Sequence, residues 1–165
     1  MNTYDFVLKL ALPSGQDLSV VEDRLFDAGC DDALVGLGQK GRVGLSFTRE
    51  AESAEAALHS ALQDVKKALP TARLIEVGPD LVGVTDIAEL FSFSRQNVRK
   101  LLQTHLDTFP LPVHEGRSAI WHLVDVLGWF ERHQHKPIDQ TLYEVAAVSC
   151  RTNITREQAR LQTAC

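Results

Sequence analysis

Hydrophobic and polar positions follow two different periods in the first half of the chain. Tyr4–Leu12 is rich in β-forming residues and partly alternates, so it predicts a strand. Ser19–Glu22 has the spacing of a capping box, and apolar residues after it repeat at helical spacing as far as Gly29. Ala33–Leu37 and Arg42–Phe47 predict two further short strands.

A longer amphipathic helix follows these strands. Ser53 is a suitable N-cap, and one apolar stripe runs from Ala54 to Leu69 before Pro70. Ala72–Val77 then predicts a fourth strand. The order β-α-β-β-α-β is that of a ferredoxin-like domain, which we expect over residues 1–78, in a chain of the α+β class. This fold carries many functions and therefore indicates none.

Three glycines lie between the second and third predicted strands. Gly36, Gly38 and Gly41 have the G-x-G-x-x-G spelling of a dinucleotide-binding loop. That loop needs a helix after it, whose N-terminal amides bind pyrophosphate. Because a strand follows here, we interpret the glycines as a tight hairpin turn.

The pattern changes after Gly78-Pro79-Asp80, which we take as a domain boundary. Short helices are predicted at Asp86–Phe91, Arg95–Thr104 and Val124–His133, within a second domain of residues 79–135. A helical stretch at about Ile138–Ser149 and a polar tail complete a C-terminal extension, residues 136–165.

The helix predicted at Arg95–Thr104 has an unusual polar face. On a helical wheel, Val98, Leu101 and Leu102 lie opposite an arc of polar side chains, with Asn97 at the border. No acidic residue occurs between Ser94 and His105, whereas solvated helices usually mix both signs of charge. Arg, Gln, Asn and Lys are the side chains that hydrogen-bond base edges and phosphates. The candidate DNA-binding residues here are Ser94, Arg95, Gln96, Asn97, Arg99, Lys100 and Gln103.

The segment Val113–His122 supports the same interpretation. It predicts two brief strands around Glu115-Gly116, which places Arg117 on the tip of a hairpin. A basic wing beside a recognition helix contacts a neighbouring phosphate or the minor groove. An exposed turn residue is the alternative interpretation of Arg117.

These motifs together resemble a known family. Residues 81–133 are similar to the excisionase and AlpA-type winged helix-turn-helix module, which is related to the MerR DNA-binding domain. The segments that carry the similarity are TDIAELFSFSRQNVRKL, FPLP and EGRSAIWHLVDVLGWF. The resemblance implies major-groove contacts from Arg95–Gln103 and backbone contacts from a wing near residues 115–118. It implies nothing about the domain in front, which such regulators often lack.

Charge is distributed unevenly along the chain. Residues 1–80 hold eight Lys and Arg against thirteen Asp and Glu, whereas residues 81–165 hold nine of each. The net charge of −5 therefore lies entirely in the first half, and a local basic face in the second half can still bind phosphates.

Other residues suggest chemistry but are better explained otherwise. Cys30, Cys150 and Cys165 form no CxxC pair, and the His133-x-His135 spacing does not place two imidazoles on one helical face, so we expect neither a metal nor a disulfide frame. Asp31-Asp32 is explained by a helix-to-strand turn. Trp121 and Trp129 are expected in the core or at an interface, rather than as base-stacking surfaces. No nucleophile–base–acid set is recognisable, so we expect no catalytic residues and no cofactor.

The sequence thus favours a cytoplasmic, sequence-specific DNA-binding regulator, a homodimeric repressor in bacteria or phage. Dimerisation is expected through the ferredoxin-like domain or through a C-terminal stripe of Ile138, Leu142, Val145, Ala146 and Ser149. An architectural excision factor or an antitoxin of a mobile element is an alternative within the same class. A protein-interaction or small-molecule sensor module is the alternative from a different class, and an unknown effector could bind the first domain. No membrane segment is expected.

Overall fold

The computed structural model describes residues 1–13, 17–37 and 39–164, apart from the side chains of Leu37 and Ala164, and shows a mixed α+β protein. Its first elements are β1 (Asn2–Ala11), α1 (Leu18–Asp27), β2 (Ala33–Leu37), β3 (Arg42–Ala51), α2 (Ala54–Ala68) and β4 (Arg73–Gly78). The remaining elements are β5 (Leu81–Val82), α3 (Val84–Phe91), α4 (Arg95–Thr104), β6 (Trp121–His122), α5 (Leu123–His133) and α6 (Gln140–Ala164).

The larger sheet has four antiparallel strands in the order β2-β3-β1-β4. β1 pairs with β3 along its whole length, from Asn2↔Ala51 to Ala11↔Arg42. Every second residue of these two strands is buried, because strand side chains alternate between the two faces. The opposite face carries exposed polar residues, among them an ion pair between Lys9 and Glu76 at 2.9 Å.

One face of this sheet packs against helices and forms the first core. Phe6 of β1 stacks on Phe47 of β3, with ring centroids 5.1 Å apart. Val21 and Leu25 of α1, together with the apolar stripe of α2, cover the same face. The α2 stripe predicted from the sequence is therefore confirmed as a buried surface.

The helix caps agree only partly with the sequence analysis. Ser53 caps α2 as predicted, and its side chain accepts a hydrogen bond from the Ala56 amide at 3.1 Å. The capping box at Ser19–Glu22 is wrong, because the side chain of Asp17 caps α1 and accepts from the Ser19 amide. Asp17 lies two positions before Ser19, so the helix begins earlier than predicted and Asp17 satisfies one of its free amides.

The glycine-rich segment joins β2 to the antiparallel strand β3, as a hairpin does and a dinucleotide-binding loop does not. Gly41 has a φ of +80°, a conformation that side chains other than glycine rarely adopt. Gly38, which the sequence analysis also assigned to this turn, lies outside the described residues.

A second core forms from α3, α4, α5 and the segment between α4 and α5. The two-stranded hairpin predicted within Val113–His122 forms only in part. β6 pairs instead with β5, through Leu81↔His122 and Val82↔Trp121, and the hairpin is reduced to one bridge between His114 and Ile120. The β5 strand, which follows β4, thus closes the second core.

Helix α6 belongs to both cores. Val145 is buried in the first core and its neighbour Ala146 in the second. The C-terminal stripe considered for dimerisation is therefore wrong, because Val145, Ala146 and Ser149 are buried within the chain. The polar tail is helical as well, since α6 continues past the predicted end of the helix at Ser149 to Ala164. In the part of the chain that the structure describes, neither α6 nor any other helix combines the length and apolar character that crossing a membrane requires.

Candidate nucleic-acid interface

Helices α3 and α4 are joined by a turn of three residues. The Asp86 carboxylate accepts a hydrogen bond from the Gly83 amide at 2.8 Å at the start of α3. Ser92 ends α3 in the left-handed region, with a φ of 57°. Ser94 begins α4, where its hydroxyl accepts from the Asn97 amide at 3.0 Å. Local hydrogen bonds thus fix the start of α3 and the start of α4.

One face of α4 is anchored in the second core. Val98 is 1% exposed, and Leu101 and Leu102 are half-buried against the same cluster. The turn is held by aromatic rings, since Phe91 stacks on Phe130 of α5 at 3.9 Å between centroids. Phe93 packs beside them and carries the Lys136 ammonium over its ring at 4.7 Å.

The other face of α4 is open. Every α4 residue that the sequence analysis proposed for DNA binding is exposed, as is the cap residue. No ion pair with a described acidic residue engages Arg95, Arg99 or Lys100. Uncompensated cations on one helical face attract polyanions, and the capped N-terminus adds the positive end of the helix dipole. The exposed residues are Ser94, Arg95, Gln96, Asn97, Arg99, Lys100 and Gln103.

The chain after α4 is pinned by two tryptophans. The indole of Trp129 donates to the Thr108 hydroxyl at 3.1 Å, and that of Trp121 donates to the Pro110 carbonyl at 3.0 Å. Phe109 lies against both indoles, with ring centroids 5.5 Å from that of Trp121 and 4.9 Å from that of Trp129. The expected core role of both tryptophans is confirmed, and their polar atoms have partners as buried indoles require.

Arg117 lies on an exposed loop rather than on the tip of a regular hairpin. Residues 115–118 are all exposed, and the loop is closed by hydrogen bonds between His114 and Ile120. Gly116 approaches the His114 ring so closely that an added Cβ would lie 2.8 Å from its Nε2 atom. The guanidinium of Arg117 is therefore carried by a short loop with a fixed base and is available to solvent.

The sequence analysis missed a polar cluster between the two cores. His122 Nδ1 lies 2.7 Å from Asp80 Oδ1 and 3.4 Å from Cys150 Sγ. Asn153 of α6 donates to Asp80 Oδ2 at 2.9 Å and also bonds both backbone groups of Val77. Burial, followed by the charge of Asp80, raises the pKa of the Cys150 thiol. These residues fasten α6 to the segment between β4 and β5.

A second cluster that was not predicted from the sequence involves Asp32, one of the two aspartates after α1. The guanidinium of Arg49, which is 9% exposed, binds both carboxylate oxygens of Asp32, at 2.7 Å and 3.0 Å. It also donates to Asp64 and Ser60 of α2, and to the carbonyl of Gly29. Asp32 is therefore an ion-pair partner, and its neighbour Asp31 is exposed. Arg49 continues the inward alternation of Val43, Leu45 and Phe47, and this pattern could have identified it.

Comparison with protein-family models, with curated proteins and with solved structures finds no match to this chain.

Proposed function

We propose that this protein is a sequence-specific DNA-binding transcriptional regulator that acts as a homodimeric repressor. In this proposal α3 and α4 form a helix-turn-helix, α4 is the recognition helix, and the loop at residues 115–118 is a short wing that places Arg117 against a phosphate. β1–β4 with α1 and α2 form a ferredoxin-like domain, an assignment supported by their order and by the antiparallel pairing of neighbouring strands.

One observation carries the proposal. The exposed face of α4 holds three cations and three amide side chains and has no acidic residue, while its other face is locked in an aromatic core. A helix that is rigidly held and projects Arg, Gln and Asn suits direct readout of base edges in the major groove. A solvated helix that had no ligand would gain from acidic partners at i+4, and α4 has none.

The homodimer is supported at the edge of the sheet. β2 is an edge strand, and two apolar side chains beside it are strongly exposed, Leu34 at 78% and Phe26 at 66%. Both residues line the same surface depression. Unpaired strand edges with apolar neighbours favour association with a second chain.

Sedimentation of the full-length chain tests the dimer. We expect Leu34→Lys to shift the protein from dimer to monomer, whereas Leu111→Lys, at a residue 88% exposed in the segment between α4 and β6, leaves the dimer intact. A monomeric wild type would contradict this part of the proposal. The full chain is needed, because removing residues 1–78 would expose the buried side of α6 at Val145.

DNA binding is tested by titrating the protein against labelled duplex DNA taken from the region upstream of its own gene, at two salt concentrations. We expect Arg99→Ala or Arg95→Ala to weaken binding about 5- to 150-fold, as the loss of a base contact worth about 1–3 kcal/mol requires. Binding should also weaken as salt rises, because phosphate contacts release counterions.

Arg24→Ala is the matched control for this titration, because Arg24 is an exposed arginine on α1, a helix that packs on the first core and not on the second. It should bind as wild type does. Circular dichroism should show that all variants keep their helices. The proposal would be contradicted if the wild type did not bind DNA, or if the α4 variants bound DNA with the same affinity as Arg24→Ala.

A small-molecule sensor is the second candidate, and one groove favours it. Helices α2 and α6 line a groove of about 530 Å³ with an apolar floor and two arginines, Arg151 and Arg156. The Nε atom of Arg156 is buried with no described partner. If this alternative is right, small carboxylates raise the Tm of wild type but not of Arg151→Ala, and DNA does not bind.

A further inference from the structure

We propose that Asp80, His122 and Cys150 form a binding site for a divalent transition-metal ion of the zinc class. The three residues come from separate elements: the segment before β5, strand β6 and helix α6. One carboxylate oxygen, one imidazole nitrogen and one sulfur atom lie within 4.8 Å of one another. The site is independent of DNA binding and does not rest on the function proposed above.

The spacing of the donor atoms is close to that of a tetrahedral site. Zinc bonds of about 2.0–2.3 Å place neighbouring ligand atoms about 3.3–3.6 Å apart. Cys150 Sγ lies 3.4 Å from His122 Nδ1, within this range. Asp80 Oδ1 lies 2.7 Å from the same nitrogen, so it must move outward by about 0.6 Å as the metal replaces their shared proton.

Hydrogen bonds orient the Asp80 carboxylate in the way that metal-binding carboxylates are oriented. Asn153 Nδ2 donates to Asp80 Oδ2 at 2.9 Å, which leaves Oδ1 directed at His122. Asn153 is itself fixed by the backbone of Val77, at 2.9 Å and 2.8 Å. Such second hydrogen bonds orient ligating carboxylates in metal sites.

The charge of the cluster also favours a cation. The Asp80 side chain is 2% exposed, and no described Lys or Arg forms an ion pair with it. Buried carboxylates are paired or coordinate metals. On binding, the Cys150 thiol releases its proton to solvent, and His122 coordinates through Nδ1 as the neutral imidazole that carries its proton on Nε2.

The donor set selects the metal. Magnesium and calcium prefer oxygen ligands, whereas one oxygen, one nitrogen and one sulfur suit zinc or cobalt. The His122 side chain is 20% exposed, so water can complete the coordination as a fourth ligand. The bound ion would tie α6 to β6 and to the segment between the two cores.

Cobalt titration of the full-length chain tests the site, in a Cys30→Ser/Cys165→Ser background that leaves Cys150 as the only thiol. We expect one Co²⁺ per chain, a thiolate-to-cobalt absorption band, and displacement of that band by Zn²⁺. Zn²⁺ should also raise the Tm, because it binds only the folded chain.

Two variants separate this site from adventitious binding. Cys150→Ser, at a partly exposed position, should lose the thiolate band, and His122→Ala should weaken Co²⁺ binding at least tenfold. Restoring Cys30, which is buried elsewhere, should change nothing. Absence of the band at millimolar Co²⁺, or the same band in Cys150→Ser, would overturn the proposal.

Discussion

Replacing Arg49 of β3 with Met removes the buried charge that joins this strand to α2 and to the turn after α1, while keeping an unbranched side chain of similar length. Five hydrogen bonds are lost, two to Asp32 and one each to Asp64, Ser60 and the Gly29 carbonyl. Two carboxylates then remain without their cation. The methionine keeps contact with Phe47, over whose ring the guanidinium lies at 5.1 Å.

The size of the effect follows from burial. Breaking a fully buried ion pair costs about 3–5 kcal/mol, because the remaining charge stays desolvated. The side chains of Asp32 and Asp64 are 28% and 24% exposed, so water partly solvates both carboxylates after the substitution. We therefore expect Arg49→Met to lower the free energy of unfolding by about 2–4 kcal/mol.

Urea unfolding followed by far-UV circular dichroism measures this loss. Lys9→Met is the matched control, since Lys9 pairs with Glu76 at 2.9 Å but is 57% exposed. Surface pairs contribute about 0–1 kcal/mol, so the control should unfold nearly as wild type does. If both variants lose less than about 1 kcal/mol, the Arg49 network does not hold β3, α2 and the turn after α1 together.

Three further predictions concern stability. Burial and then the charge of Asp64 raise the pKa of Cys30 from 9.0 to about 11, so the folded chain keeps this proton longer than the unfolded chain. The stability advantage of wild type over Cys30→Ala should thus be fully present below pH 9, and urea unfolding should show it falling by about 2 kcal/mol by pH 11. Asn153→Ala breaks three hydrogen bonds between α6 and the β4–β5 segment, and should cost about 2–3 kcal/mol in the same assay; an unchanged midpoint contradicts this. Ser94→Ala removes the cap of α4 and should cost about 1 kcal/mol by thermal unfolding, while Ser94→Asn restores the cap. Equal Tm values for wild type and Ser94→Ala would refute that role.

Local signals in the sequence predicted many individual elements. The cap at Ser53 and the burial of Trp121 and Trp129 follow from short-range rules, because each depends on a few neighbouring residues. The exposed polar face of α4 followed in the same way from helical periodicity.

Contacts between distant segments could not be predicted in this way. β5 and β6 have two residues each and carry no periodic signal, so their pairing was invisible. Asp80, His122 and Cys150 are separated by tens of residues and fit no spacing motif. The stripe on α6 was visible, but a sequence cannot indicate whether such a stripe packs within the chain or against a second copy. Here Val145 and Ala146 pack within it.

Selection from random duplex DNA tests most directly whether α4 reads a sequence. The wild-type protein should enrich an inverted repeat whose half-sites are separated by about one helical turn of DNA, or by a whole number of such turns. The double variant Arg95→Ala/Arg99→Ala should enrich no motif, whereas Arg24→Ala should enrich the same motif as wild type. No enriched motif with wild type, or an unchanged motif with the double variant, would contradict the account.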